Sequence, residues 1–91
     1  MKLFIPFPTK DIVSVVMLDD DNTPFSYVAF ILHYVFDIEL ERARIKCNVC
    51  DEQGYVLVGR YIKSKADKMI NKARLLNMLH EQLLKFEIKE D

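Results

Sequence analysis

Leu18–Val28 reads LDDDNTPFSYV: three consecutive acids, a polar pair, a proline and then an apolar run. Like charges side by side repel, so the stretch is either a wet turn or a place that receives a cation. Its flanks show which elements it joins. Before it, Ile12–Leu18 (IVSVVML) is β-branched and apolar, as a buried strand is. After it, Thr23 is expected as a helix N-cap, with Pro24 at the first helical position, where its missing N–H costs nothing. The helix that follows, PFSYVAFILHYVF, is apolar nearly all round and is expected to be largely buried.

Asp37 is expected to cap a second helix with Leu40, Ala43, Cys47 and Cys50 on one face, and Gly54 to end it, as glycine does just past a helix. Tyr55–Tyr61 (YVLVGRY) reads as a strand. Ser64 is expected to cap a third helix, with an apolar stripe of Ala66, Met69, Ile70, Ala73, Leu76 and Leu79. LKFEIK, Leu84–Lys89, alternates strictly and reads as a strand with one wet face. The order β-α-α-β-α-β predicts a small α+β domain: a three-stranded sheet with helices on one side.

The 91 residues make one domain, and an apolar fraction of 51% is enough for one core. A net charge of -1 argues against a dedicated nucleic-acid binder. No apolar run reaches the ~18 residues of a membrane span. The start, MKLFIPFPTKD, is broken by Pro6 and Pro8 and is too short for a secretory signal. Two cysteines make no disulfide framework, so a reducing, cytoplasmic home is expected.

Candidate chemistry is sparse. The acids lack the alternate spacing, glycine and distal Glu of a calcium loop, and as turn residues before a helix they need no partner. Cys47-x-x-Cys50 lacks the second ligand pair of a zinc site. It also sits late in its helix rather than at the N-terminus that activates a redox pair. Two buried thiols serving as small hydrophobes is the favoured reading. His33 lies in an apolar helix with no nucleophile beside it, and Lys65, Lys68 and Lys72 share what reads as a solvated face. No nucleophile elbow, phosphate loop or acid/base pair is present, so neither an enzyme nor a metal or other cofactor is expected.

The matching positions Leu18, Asp20, Asp21, Thr23, Pro24 and Val28, then Ala43, Gly54, Gly59 and Tyr61, give the chain a family likeness. Together with the element order they resemble the ClpS family, without a gap from about Val13 to Glu87. ClpS proteins are small adaptors that recognise the N-terminal residue of a protein and hand that protein to a Clp-type AAA+ unfoldase and its protease. The ribosomal stalk-protein C-terminal domain has a similar architecture, so fold alone does not give function. The resemblance implies a compact monomeric domain over residues 12–91, with an antiparallel sheet packed against three helices after a short extension, residues 1–11. Its implied partners are the N-terminal peptide of a substrate and a Clp-type unfoldase, with no cofactor, nucleic acid or membrane.

Carried over by position, the resemblance places Asp19, Asp20 and Asp51 at the substrate's free α-amine. It places Thr23, Pro24, Phe25, Val28, Cys47, Cys50 and Leu84 around its bulky first side chain. Several positions depart from the family pattern. Asp19 stands for Asn, Asp51 for His, Phe25 for Met, and Cys47 and Cys50 for Met and Val. Lys63-Ser64-Lys65 stands in the region that docks on the unfoldase, where the family usually has an acidic residue, so a conventional contact there is not expected. The alternative reading is a ClpS-like domain that no longer reads N-termini and acts on the unfoldase as an inhibitor or scaffold.

Overall fold

A computed structural model of the chain describes residues 11–90; residues 1–10 of the expected N-terminal extension, and Asp91, lie outside them. The β-branched run forms β1 (Ile12–Leu18), followed by α1 (Phe25–Tyr34), α2 (Leu40–Gln53), β2 (Tyr55–Ile62), α3 (Lys63–Leu79) and β3 (Lys85–Glu90). The fold is α+β in the order expected. β1 is the middle strand of an antiparallel sheet ordered β2-β1-β3. A central strand has a paired neighbour on both edges, and here Val16 is buried as well as the core-facing Val13, Val15 and Met17, so its sequence is almost continuously apolar.

Val13, Val15 and Met17 turn into a core shared with Ile31, Leu32, Ala43, Cys47, Cys50, Ala66, Ile70 and Ala73 from the three helices. Val16, one step out of that phase, is buried but stands outside this cluster. The helices therefore stack on one face. The register slips between Val15 and Val16: Val15 pairs with Gly59 and Val16 with Leu57. Val58 is left without a partner in a bulge, yet it still packs in the core. Gly59 makes room there, because a Cβ at this position would lie 2.6 Å from the Tyr61 hydroxyl oxygen.

The helix ends differ from the sequence reading. Pro24, not Thr23, occupies the N-cap of α1, and no side chain caps the helix. The Thr23 hydroxyl instead donates to Asp20 Oδ2 at 2.8 Å, so it is spent inside the turn. Glu39, not Asp37, caps α2, accepting from the N–H groups of Glu41 and Arg42. Asp37 lies in the left-handed region, φ 57°, in the connection between the helices. His33 Nδ1 donates to the Ile38 carbonyl at 2.8 Å and braces that connection. α3 begins at Lys63 with Ile62 as its N-cap, so Ser64 caps nothing. Gly54 does end α2, at φ 88°.

Two burial expectations are also corrected. α1 is not enclosed: Phe25, Phe30 and Tyr34 are exposed, and Phe30 stacks on Tyr34 with ring centroids 5.3 Å apart. Lys72 from α3 lies 4.4 Å from the Tyr34 ring centroid, a cation–π contact between the helices. On α3, Leu79 is 76% exposed and Asn77 is buried instead. Asn77 Oδ1 accepts from the Tyr27 hydroxyl at 2.8 Å, and its Nδ2 donates to the Leu84 carbonyl at 2.7 Å. The backbone carbonyl of Asn77 also accepts from the Gln82 N–H at 2.8 Å.

Asn77→Ala strands the Tyr27 hydroxyl and the buried Leu84 carbonyl, and is expected to cost about 1–3 kcal/mol. Leu79→Ser, on an exposed neighbour, is expected to stay within ~0.5 kcal/mol. Urea denaturation of both variants, read as midpoint shifts at constant slope, checks the contrast.

Candidate functional site

Where β1 ends, the acid run crosses from the sheet to α1 and closes one side of a cleft of about 230 Å³. Two hydrogen-bond systems hold the run in place. The Asp19 N–H donates to the Gly54 carbonyl at 2.9 Å, tying the exit of β1 to the end of α2. Asp20 accepts from the Asn22 N–H at 2.9 Å and from the Thr23 hydroxyl, an Asx-type turn. The Asn22 N–H first, then the Thr23 hydroxyl, hold the Asp20 carboxyl below its ordinary value of 3.8. Part of the repulsion among the acids is thus offset inside the turn itself.

α2 supplies the facing wall. Cys47, Asn48, Cys50 and Asp51 fall within one helical turn of each other and all line the cleft. Both thiols are buried and unbridged, and the Cys50 thiol donates to the Met17 carbonyl at 3.6 Å. Burial pushes both thiols up to about 11. Cys47 is raised further by Cys50, and Cys50 by the charges of Asp19 and Asp51. Both therefore stay neutral near pH 7. They form a soft, small-residue floor rather than a nucleophilic pair. Val28 and Phe25 of α1 and the buried Leu84 complete the apolar walls.

Of the residues assigned from sequence, Asp19, Asp20, Asp51, Thr23, Phe25, Val28, Cys47, Cys50 and Leu84 all meet at this one cleft. Pro24 does not line it. Its carbonyl accepts from the N–H groups of Tyr27 and Val28, and its ring is exposed at the helix start. Met17, Leu18, Asp21 and Asn48 also line the cleft, though none of them was assigned to the site from sequence. Asn48 was findable, since it lies three residues before Asp51 on the same helical face. Among the described residues, no group of three or more His, Cys, Asp or Glu side chains is placed to hold a metal ion. No helix there is long and apolar enough to cross a membrane.

The sequence profile of the ATP-dependent Clp protease adaptor protein ClpS matches residues 8–87. The chain belongs to the ClpS family. ClpS is an adaptor family, so the chain's broad role is that of an adaptor. Among solved structures, Agrobacterium tumefaciens ClpS2 bound to L-phenylalaninamide superposes with a TM-score of 0.83. That match has 22% sequence identity and covers 90% of this chain and 99% of the other, which places the present chain in the ClpS fold. No curated protein sequence matches the chain significantly.

Two measurements follow from the electrostatics of this ClpS cleft. Native-state alkylation with iodoacetamide at pH 7.5 is expected to leave Cys47 and Cys50 largely unmodified until urea unfolds the chain, as mass spectrometry would report. The Asp20 carboxyl is expected to titrate below 3.8 by NMR and to move upward in Thr23→Val. Its folded value is the lower one, so its stabilisation is present above pH 3.8 and fades as pH falls through the folded value. The gain is small for so exposed a carboxylate.

Proposed function

We propose that this ClpS-family chain binds the free N-terminal amine and bulky first side chain of substrate proteins and delivers them to a Clp-type AAA+ unfoldase. The observation that carries the reading is a single cleft with an apolar wall and floor and three carboxylates, Asp19, Asp20 and Asp51, among its lining residues. An α-ammonium offers only donors, and ionised Asp19, Asp20 and Asp51 offer only acceptors. A benzyl or isobutyl group fits the interior by size: an apolar cavity of ~150 Å³ accommodates benzene, and this cleft encloses about 230 Å³. L-phenylalaninamide, the compound bound to the A. tumefaciens relative, has a free α-amine and a benzyl side chain, which supports the assignment.

The energetics are adequate. Each charge-assisted hydrogen bond to the ammonium contributes about 1.5–3 kcal/mol. Burial of a Leu or Phe side chain contributes about 1.5–3 kcal/mol. Lost ligand freedom opposes these gains, which leaves affinity in the micromolar range. With Asp19 and Asp51 in place of the family's Asn and His, the rim has more negative charge and fewer donors. The cleft therefore leans on attraction for the ammonium more than on donation to the substrate's carbonyl.

The test is fluorescence polarisation with labelled peptides beginning Phe, Leu, Arg or Gly, each with a free and an acetylated amine. Phe and Leu peptides are expected to bind only with the amine free, and Asp19→Ala or Asp51→Ala to weaken them about tenfold each. Raised salt is expected to weaken binding, because the rim is exposed. If no free-amine peptide binds at high micromolar concentration, the reading fails and the inhibitor or scaffold role takes its place.

A further inference from the structure

Beside the cleft lies a second, wider concavity of about 800 Å³, between the last turn of α3, the 80–84 turn and the start of β3. The two share a wall, for Leu18 and Leu84 line both. Met78 and Leu83 are 77% and 74% exposed, among the most solvent-exposed large apolar side chains of the described residues. Both lie in this groove, with Phe86 beside them. Folding does not explain that exposure, and clustered exposed apolar groups mark binding surfaces. The charged groups along the groove are Arg74 and Lys85 against Glu81 and Glu87, two of each sign. A balanced rim around apolar walls suits an uncharged apolar occupant rather than a polyanion. β3 is also an edge strand, paired only with β1 among the described residues, so backbone groups along its other side are open to an extended chain.

We propose that this groove holds the residues that follow the first one of a bound substrate, as an extended segment with apolar side chains. The inference rests on the N-terminal reading of the cleft. A chain anchored there by its first residue advances ~3.3 Å per residue when extended, so its next three or four residues span the adjoining groove. Anchoring also makes the second contact intramolecular, so a modest apolar surface gains affinity without a separate binding event. The groove is more than three times the volume of the cleft, room for several side chains. Substrates would then be ranked by their second to fourth residues as well as by their first.

The test compares three probes by competition: L-phenylalaninamide, Phe-Gly-Gly-Gly-amide and Phe-Leu-Val-Leu-amide. Against the wild-type chain, the apolar tail is expected to bind about tenfold tighter than the glycine tail, equivalent to about 1.4 kcal/mol. The Met78→Ser/Leu83→Ser double variant is expected to erase that difference while leaving phenylalaninamide affinity unchanged. Both positions are highly exposed, so the variant keeps the fold. Equal affinities for the two tails on the wild-type chain overturn the groove inference and leave the cleft reading intact. A tail preference that survives in the double variant places the contact elsewhere and overturns it as well. If the wild-type chain sediments as a dimer that the double variant dissociates, the groove is a self-interface and the inference fails. If phenylalaninamide itself does not bind, the cleft reading fails and the groove inference falls with it.

Discussion

The buried amide of Asn77 is the interaction on which the rest of the arrangement leans. It is the one polar side chain buried among the described residues, and it ties α3 to two other parts of the chain: the Tyr27 hydroxyl on α1 and the Leu84 carbonyl ahead of β3. An apolar stripe alone lets a helix rotate or slide by part of a turn at little cost. A buried amide with both its donor and acceptor engaged penalises every other register, because a slipped Asn77 would sit unpaired in the core. Fixing Leu84 this way also fixes a wall of the cleft. The fold and the candidate site therefore share one constraint.

The acid run follows a related logic at the surface. Asp20 is held within its own turn by two donors, whereas Asp19 is fixed through its backbone N–H and leaves its carboxylate uncommitted by any bond to that turn. Placing Asp19 beside the end of α2 brings it to the same rim as Asp51, and both charges are felt by the Cys50 thiol. The adjacent acids have separate parts to play. One acid builds the turn, and the turn delivers another to a rim where a cation is the natural counter-charge.

Much of this was legible in the sequence, and the failures have physical causes. Strand and helix order followed from periodicity because each element buries one face, and β1's largely apolar run marked a buried strand. The cleft residues were legible through their match to a family pattern and not through spacing: nothing in the distance from Asp20 to Cys47 or Leu84 places them together. Helix caps were misread because Thr23, Asp37 and Ser64 are chemically able to cap, but a side-chain oxygen serves one donor network at a time. Thr23 serves the Asp20 turn, and Glu39 outcompetes Asp37, which sits in a left-handed connection. The burial of α1 was overstated because a domain of this size has too little protein to enclose an apolar helix on every side. Asn77 was missed because a polar residue on a core stripe is invisible until its partners, 50 residues before and seven after it, are brought to it.

The cysteines connect the core to the proposed chemistry of the site. Where the family pattern has Met and Val, this chain places Cys47 and Cys50, packed beneath a rim of carboxylates. A shorter residue at Cys47 removes bulk from the floor and deepens the space left for a ligand. The choice of thiol also has an electrostatic consequence. A thiolate in that position would add negative charge to Asp19 and Asp51, but burial and those same carboxylates push the Cys50 thiol up to about 11 and keep it protonated. Burial is the main reason the floor stays neutral, and at Cys50 the carboxylates of the rim add to it. Burial and charge thus divide the cleft between them, polar at the carboxylate rim where an amine would sit and apolar at the buried floor where a side chain would enter.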